Sequence, residues 1–299
     1  MRFALFLGCT VPARGRNYEM AARLVGARLG IGFVDINDFS CCGFPIKGIE
    51  RDLALTMCAR NLALAEEQGV DVCVLCSACT GMLAEANHLL RGDEELRGRI
   101  NRRLEKIGRV YHGTVEVKHF SRILHEDIGL ERIKGAVCAD LSPLRIAPHY
   151  GCHYLKPAVI HGGFDQVEAP VTLDELIEAA GASPVFLSGT QHCCGGALLV
   201  MDKVLTYAMA RDKLASVKAA GAHAICLICP FCAVIYDDNQ RSIEAHFETE
   251  YNLPALYYPQ LLGLAMGMDP NALGFNMNRV KTRSLLAMLA AGGPGEYRP

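Results

Sequence analysis

One pattern, written twice, governs what this chain can fold into. Cys9, Cys41-Cys42-Gly43 and Cys76-Ser77-Ala78-Cys79 mark the first half; Cys152, Cys193-Cys194-Gly195 and Cys229-Pro230-Phe231-Cys232 mark the second. The gaps are 31 and 33 residues in the first set and 40 and 34 in the second. Ten of the 14 cysteines belong to this repeat. Self-similarity of this kind reads as two copies of one supersecondary unit.

The surroundings of the cysteines repeat as well. Residues 59–67 and 210–218 share a helical pattern, and each is followed by a glycine, Gly69 or Gly221, suited to a left-handed cap. Apolar runs follow at 70–75 and 224–228, short enough and β-branched enough to be buried parallel strands. Each run ends at a CxxC. The runs at 3–7 and 144–148 deliver Cys9 and Cys152 in the same way. In open α/β sheets, ligands bind beyond the carboxyl ends of the strands. The expected fold is therefore two pseudo-symmetric, Rossmann-like α/β modules, each with a cysteine cluster at its strand carboxyl ends. The repeats cover roughly 1–90 and 141–240, which suggests modules at 1–140, with connecting helices, and 141–299, with a tail. Residues 91–109 read as a polar, solvated helix and 119–129 as another helix. A helix is expected at 280–291, followed by a loose Gly/Pro-rich end.

Composition narrows the function. Of 299 residues 51% are hydrophobic and 21% charged, which provides a core and rules out wholesale disorder. A formal charge of −2 argues against a dedicated nucleic-acid binder. No charged leader or small-residue cleavage site follows Met1. The most apolar stretches, 222–236 and 253–268, are interrupted and fall short of the roughly 18 residues a membrane helix needs. Both read as buried elements. A cytoplasmic location is expected, with membrane contact only through partners.

So many thiols in a chain with its own core and no export signal point to metal rather than to a disulfide framework. Each set offers five, two of them adjacent in sequence. Adjacent cysteines place both sulfurs on one tetrahedral zinc only with strain. They suit a polynuclear centre better, where neighbouring thiolates reach different metal atoms, as in iron–sulfur clusters. Gly43 and Gly195-Gly196 then permit positive φ or close backbone approach. Cys58, Cys73, Cys138 and Cys226 stand outside the sets and read as small buried hydrophobes. His149 and His153 flank Cys152, and His192 precedes Cys193. His153 is the preferred proton donor, because imidazole titrates near neutrality. Lys156 is an ordinary exposed lysine or an attractor of anionic substrate. Phosphate-loop, dinucleotide, nucleophile-elbow and zinc-protease motifs are absent from the sequence.

The sequence resembles the family of heterodisulfide reductase B subunits. The likeness runs to about residue 268. It includes Phe6-Leu7-Gly8-Cys9, Asp38-Phe39-Ser40-Cys41-Cys42-Gly43, Glu85-Ala86-Asn87-His88, Val117-Lys118-His119-Phe120, Pro148-His149-Tyr150-Gly151-Cys152-His153, Cys193-Cys194-Gly195-Gly196 and Tyr258-Pro259-Gln260-Leu261-Leu262-Gly263. The resemblance implies two noncubane [4Fe–4S] clusters, held by Cys9, Cys41, Cys42, Cys76 and Cys79 and by Cys152, Cys193, Cys194, Cys229 and Cys232. It implies two-electron cleavage, or reverse formation, of a disulfide such as CoM-S-S-CoB, or of a bacterial sulfur carrier bearing bound lipoate. The implied partners are a ferredoxin-like C subunit and a flavin-containing A subunit. Looser relatives of the same cysteine module serve quinone-linked and dehydrogenase complexes, so an electron-transfer subunit without disulfide cleavage is the alternative. A zinc-bearing scaffold is the third reading.

Overall fold

A computed structural model describes residues 1–291. The Gly/Pro-rich end expected to be loose lies outside the described residues. The chain forms two four-stranded sheets, all of whose pairings are parallel. The first contains β1 (Arg2–Phe6), β2 (Gly32–Val34), β3 (Asp71–Val74) and β4 (Val117–His119) in the order β2-β1-β3-β4. The second contains β5 (Arg145–His149), β6 (Ser183–Pro184), β7 (Ala224–Leu227) and β8 (Ala255–Tyr257) in the order β6-β5-β7-β8. The two orders are the same order repeated, as the cysteine duplication demands.

The central strands are apolar because they are covered on both faces. All four residues of β7 are buried, as are the last four of β1. Helices Arg16–Leu29, Arg51–Glu67 and Ser77–Gly92 provide crossovers in the first half. Thr172–Ala179, Lys203–Ala219 and Gln240–Phe247 do so in the second. Gly69 and Gly221 take φ of +61° and +69°, the left-handed geometry expected after the two long helices.

Chain reversal falls between β1 and β3, and again between β5 and β7. A crossover leaves one central strand for one edge of the sheet, and the next turns towards the other edge. The carboxyl ends of these strands open a crevice, the usual ligand site of such sheets. The cysteines that follow β1, β3, β5 and β7 lie there.

The halves share one apolar core. Helix Arg16–Leu29 packs on helix Tyr258–Ala265, and Leu130–Ala136 on Thr172–Ala179. Tyr18 stacks on Tyr257 with ring centroids 4.1 Å apart. The carbonyl of Ile228 accepts hydrogen bonds from three first-half side chains: Tyr18 Oη at 3.2 Å, Ser77 Oγ at 3.5 Å and His119 Nε2 at 2.9 Å.

Several local expectations need correction. The polar helix read at 91–109 is divided: Arg91 and Gly92 end Ser77–Gly92, and Asp93 caps a new helix, Glu94–Leu104, by accepting from Leu96 N–H at 2.9 Å. The helix read from residue 119 starts after β4, at Phe120, and continues as a π-helix over Ile123–Ile128. The last described helix begins at Arg283 rather than 280. Residues 253–268 are core, with β8 and all of Tyr258–Ala265 buried.

Candidate metal centre

The two CCG turns are built alike. Gly43 and Gly195 adopt φ of +82° and +77°. A Cβ on Gly43 would sit 3.1 Å from the Ala54 backbone, and one on Gly195 3.3 Å from that of Thr206. Glycine is thus required for both conformation and space. The tight turn aims backbone N–H groups at sulfur: Gly43 at Cys41, Gly195 at Cys193 and Gly196 at Cys194, each at 3.4 Å. Such donors favour the thiolate.

Each CxxC begins where a strand ends. Cys76 caps helix Ser77–Gly92 with extended φ/ψ, and Cys79 lies in its first turn. Cys229 and Cys232 hold the same places at Pro230–Ala233. The free N–H groups of a helix start carry positive charge density, which also suits thiolates. Gly8 and Gly151 precede the remaining members, Cys9 and Cys152, with φ of +64° and +71°. A Cβ on Gly8 would come within 2.8 Å of Cys79 Sγ, and one on Gly151 within 3.6 Å of Cys232 Sγ.

All ten candidate ligands come together. Thiol–thiol interactions link Cys9 to Cys41, Cys41 to Cys42, Cys42 to Cys79 and Cys79 to Cys76. The second set runs from Cys152 to Cys193, Cys194, Cys232 and Cys229. The sets meet, because Cys76 interacts with Cys229. Three thiols are pushed toward the thiolate, and their thiol neighbours Cys76, Cys79, Cys152, Cys194 and Cys232 are pushed the other way. Cys42 falls to about 7, chiefly through Cys79 and against its own burial. Cys193 is lowered first by Cys152 and then by Cys194, and Cys229 by Cys232 and then by Cys76. Burial pushes Cys41 up to about 11.

Among the described residues no three His, Cys, Asp or Glu side chains are grouped so as to hold a single metal ion. Within each set the thiols interact pairwise, one after another. Five such thiols per set, with N–H groups directed at sulfur and cradles kept open by glycine, fit a polynuclear sulfur-bridged group.

His153 stands at the mouth of the second set, with Nδ1 3.0 Å from Cys152 Sγ and its ring edge-on to Phe44. Burial lowers its pKa. Two cavities share His153 and Cys152. The inner, about 50 Å³, is lined by Phe44, Phe231, Cys193, Cys194, Cys229 and Cys232 among others. The outer, about 320 Å³, is lined by Lys47, Glu85, Lys156 and Pro157. Lys156 is exposed and lines the outer cavity, and Lys47 is paired with Glu85. Of the four cysteines outside the sets, Cys58, Cys73 and Cys226 are buried, as expected, but Cys138 is exposed. Its segment runs along Ala265, whose carbonyl accepts from Cys138 N–H, rather than entering the core.

Sequence reasoning missed the residues that hold the CCG turns. Asn61, 1% exposed, accepts from Ser40 N–H and donates to the Ser40 and Cys41 carbonyls. Cys58 donates to Cys42 O at 3.0 Å. Lys213, equally far beyond its cysteine pair as Asn61 is beyond Cys41, donates to Gly189 O at 3.2 Å. The available signal was a polar residue on an otherwise apolar helix face.

Two repeated parallel sheets whose switch points carry five thiols apiece define a duplicated cysteine-rich domain protein. The sequence profile of the CCG cysteine-rich domain matches residues 3–84 and again 146–235. The chain is 37% identical to the B subunit of the ferredoxin/F(420)H(2)-dependent CoB-CoM heterodisulfide reductase of Methanosarcina acetivorans, over 96% of this chain and 97% of that one. It is 31% identical to the 8-methylmenaquinol:fumarate reductase membrane anchor subunit of Wolinella succinogenes, over 95% and 98%. A crystal structure of a hypothetical Helicobacter pylori protein shares the fold with a TM-score of 0.78 at 18% identity, over 94% of this chain and 52% of that one. The chain belongs to the family of heterodisulfide reductase B subunits, components of disulfide oxidoreductases.

Proposed function

We propose that this chain is the catalytic iron–sulfur subunit of a heterodisulfide reductase-type complex, cleaving or forming a disulfide with two electrons. The observation that carries the reading is the meeting of the two thiol sets at Cys76 and Cys229, beside a cavity that reaches the second set. A disulfide needs two electrons, and two one-electron centres side by side are suited to deliver them.

In this reading Cys9, Cys41, Cys42, Cys76 and Cys79 hold one [4Fe–4S] cluster of noncubane type. Cys152, Cys193, Cys194, Cys229 and Cys232 hold the other. When bound, the clusters supply electrons and iron sites for sulfur. The protein supplies the rest. Phe44 and Phe231 wall the inner cavity with apolar surface and limit water. Lys156, with the Lys47–Glu85 pair, lines the outer cavity and favours an anionic disulfide. His153 lies between the cavities and hands a proton to the departing thiolate. The modules fall at 1–140 and 141–299. Electrons arrive from a ferredoxin-like C subunit fed by a flavin-containing A subunit, in the cytoplasm. Among the described residues no helix is long and apolar enough to cross a membrane, so this reading makes any membrane contact through partners. The substrate is CoM-S-S-CoB or a lipoate-bound sulfur carrier.

The Wolinella relative, whose name is that of a quinol:fumarate reductase anchor, favours a second reading: electron transfer without disulfide cleavage. One experiment separates the two. Anaerobically purified protein should hold roughly eight iron and eight sulfide per chain. Adding a disulfide to the reduced protein should change its absorbance under the first reading and leave it unaltered under the second. His153→Gln should slow turnover at full iron content; unaltered turnover assigns the proton to another group.

A further inference from the structure

The two halves repeat closely, so the places where they differ carry information. Phe6 ends β1 and His149 ends β5, and they occupy the same register position: Phe6 pairs with Val74 of β3, and His149 with Leu227 of β7. Phe6 is fully buried, as an apolar core residue should be. His149 is 1% exposed, yet neither Nδ1 nor Nε2 has a hydrogen-bond partner. A buried polar group without a partner is destabilising. Such a group calls for an explanation, and a bound group that accepts its N–H is one.

Its surroundings belong to the second thiol set. The His149 ring lies edge-on to Tyr236 at 5.0 Å and within electrostatic reach of Cys193, Cys229, Lys213 and His192. Tyr236 in turn senses Cys193, Cys194 and Cys232. Counted from the cysteines, Lys213 stands where the first half has Asn61, Tyr236 where it has Leu83, and His192 where it has Ser40. Every one of these differences places a ring nitrogen, a hydroxyl or an ammonium around the second thiol set. The first set keeps Phe6 and Leu83, both buried.

We propose that His149 donates a ring N–H to the sulfur-bridged group held by Cys152, Cys193, Cys194, Cys229 and Cys232, and thereby sets that centre at a higher reduction potential than its counterpart. A donor aimed at sulfur, with a buried ammonium nearby, stabilises the extra electron of the reduced state. Phe6 offers the first centre no such donor. Electrons therefore collect on the second centre, the one reached from the cavities at His153. His149 is a positioning residue here: it acts on the bound group and not on the disulfide.

The inference rests on the iron–sulfur reading above, and the test separates the two. Wild type, His149→Phe and His149→Gln are purified anaerobically, assayed for iron and sulfide, and titrated with redox mediators under electron paramagnetic resonance. The Phe variant reproduces the side chain found at Phe6. It should lower the more positive of the two midpoints until the reduced-to-oxidised ratio, read at the wild-type midpoint, falls about tenfold, or about 59 mV. The other midpoint should stay in place. Gln retains a donor and should recover part of the shift, and it decides the matter should the Phe variant load poorly. Full iron content with unmoved midpoints, or an equal shift of both, overturns the proposal alone. Wild-type protein without iron and sulfide overturns the cluster reading and this proposal with it.

Discussion

His119 permits a quantitative test of how the halves are joined. Its ring is fully committed: Nε2–H donates to Ile228 O at 2.9 Å, and Nδ1 accepts from Ser121 N–H at 3.1 Å. Only the neutral ring does both, because a proton on Nδ1 would face the Ser121 N–H. Burial pushes its pKa down to about 4, from an ordinary value of 6.5. As pH falls, the unfolded chain takes up the proton first. Stability from this ring is intact above about pH 6.5 and is lost progressively toward about pH 4. Between pH 7.5 and 5.5 the loss works out at about 1 kcal/mol. In His119→Asn the amide oxygen keeps the cap on Ser121 N–H. The reach to Ile228 and the titration both disappear. Losing that bond and shrinking a buried ring should cost about 2 kcal/mol near neutrality. The gap between wild type and variant should then narrow to about 1 kcal/mol at pH 5.5. Urea midpoints from pulse proteolysis of anaerobic protein measure the gap at both pH values. An unchanged gap would refute the claim that two committed nitrogens keep this ring neutral.

Gly8→Ala should cost the chain roughly half its iron, since the new methyl would lie 2.8 Å from Cys79 Sγ at a φ of +64°. Gly151→Ala, with 3.6 Å to Cys232 Sγ, should retain more; metal analysis compares the two. Cys73→Ala and Cys226→Ala remove buried strand thiols outside the sets and should leave iron per chain unaltered, while stability drops by about 1 kcal/mol each. Tyr18→Phe removes one donor to Ile228 O but keeps the stack on Tyr257. It should lower stability by about 1 kcal/mol, read as a small shift of the thermal midpoint.

The cysteine sets were legible because their logic is local. A CxxC after an apolar run, or a cysteine pair before glycine, states its own turn chemistry within a few residues. The four central strands were legible for a related reason: a strand covered on both faces reads as an unbroken apolar run. Two of the outer strands carried no such signal. β6 is Ser183–Pro184, and β2 is Gly32–Val34; only their neighbours make them strands. β4 ends at His119, whose side chain caps the next helix, so His119 read as the first residue of that helix. Which two cysteines meet, Cys76 and Cys229, was not legible in the spacing. It depends on how one sheet packs against another, and no spacing within either half encodes it. Asn61 and Lys213 were missed for another reason: each is a polar residue on a helix, and its partner lies about twenty residues upstream in the same half.

The crowded carbonyl of Ile228 bears on the order in which the molecule is made. Its three donors, Tyr18, Ser77 and His119, all leave the ribosome before it does. Ile228 follows His119 by 109 residues, which at cellular synthesis rates is on the order of ten seconds. During that interval the nascent first half presents a hydroxyl pair and an imidazole without the acceptor that follows β7. A chain that stalls before residue 228 is left with that defect for good, and becomes a natural client for chaperones and proteases.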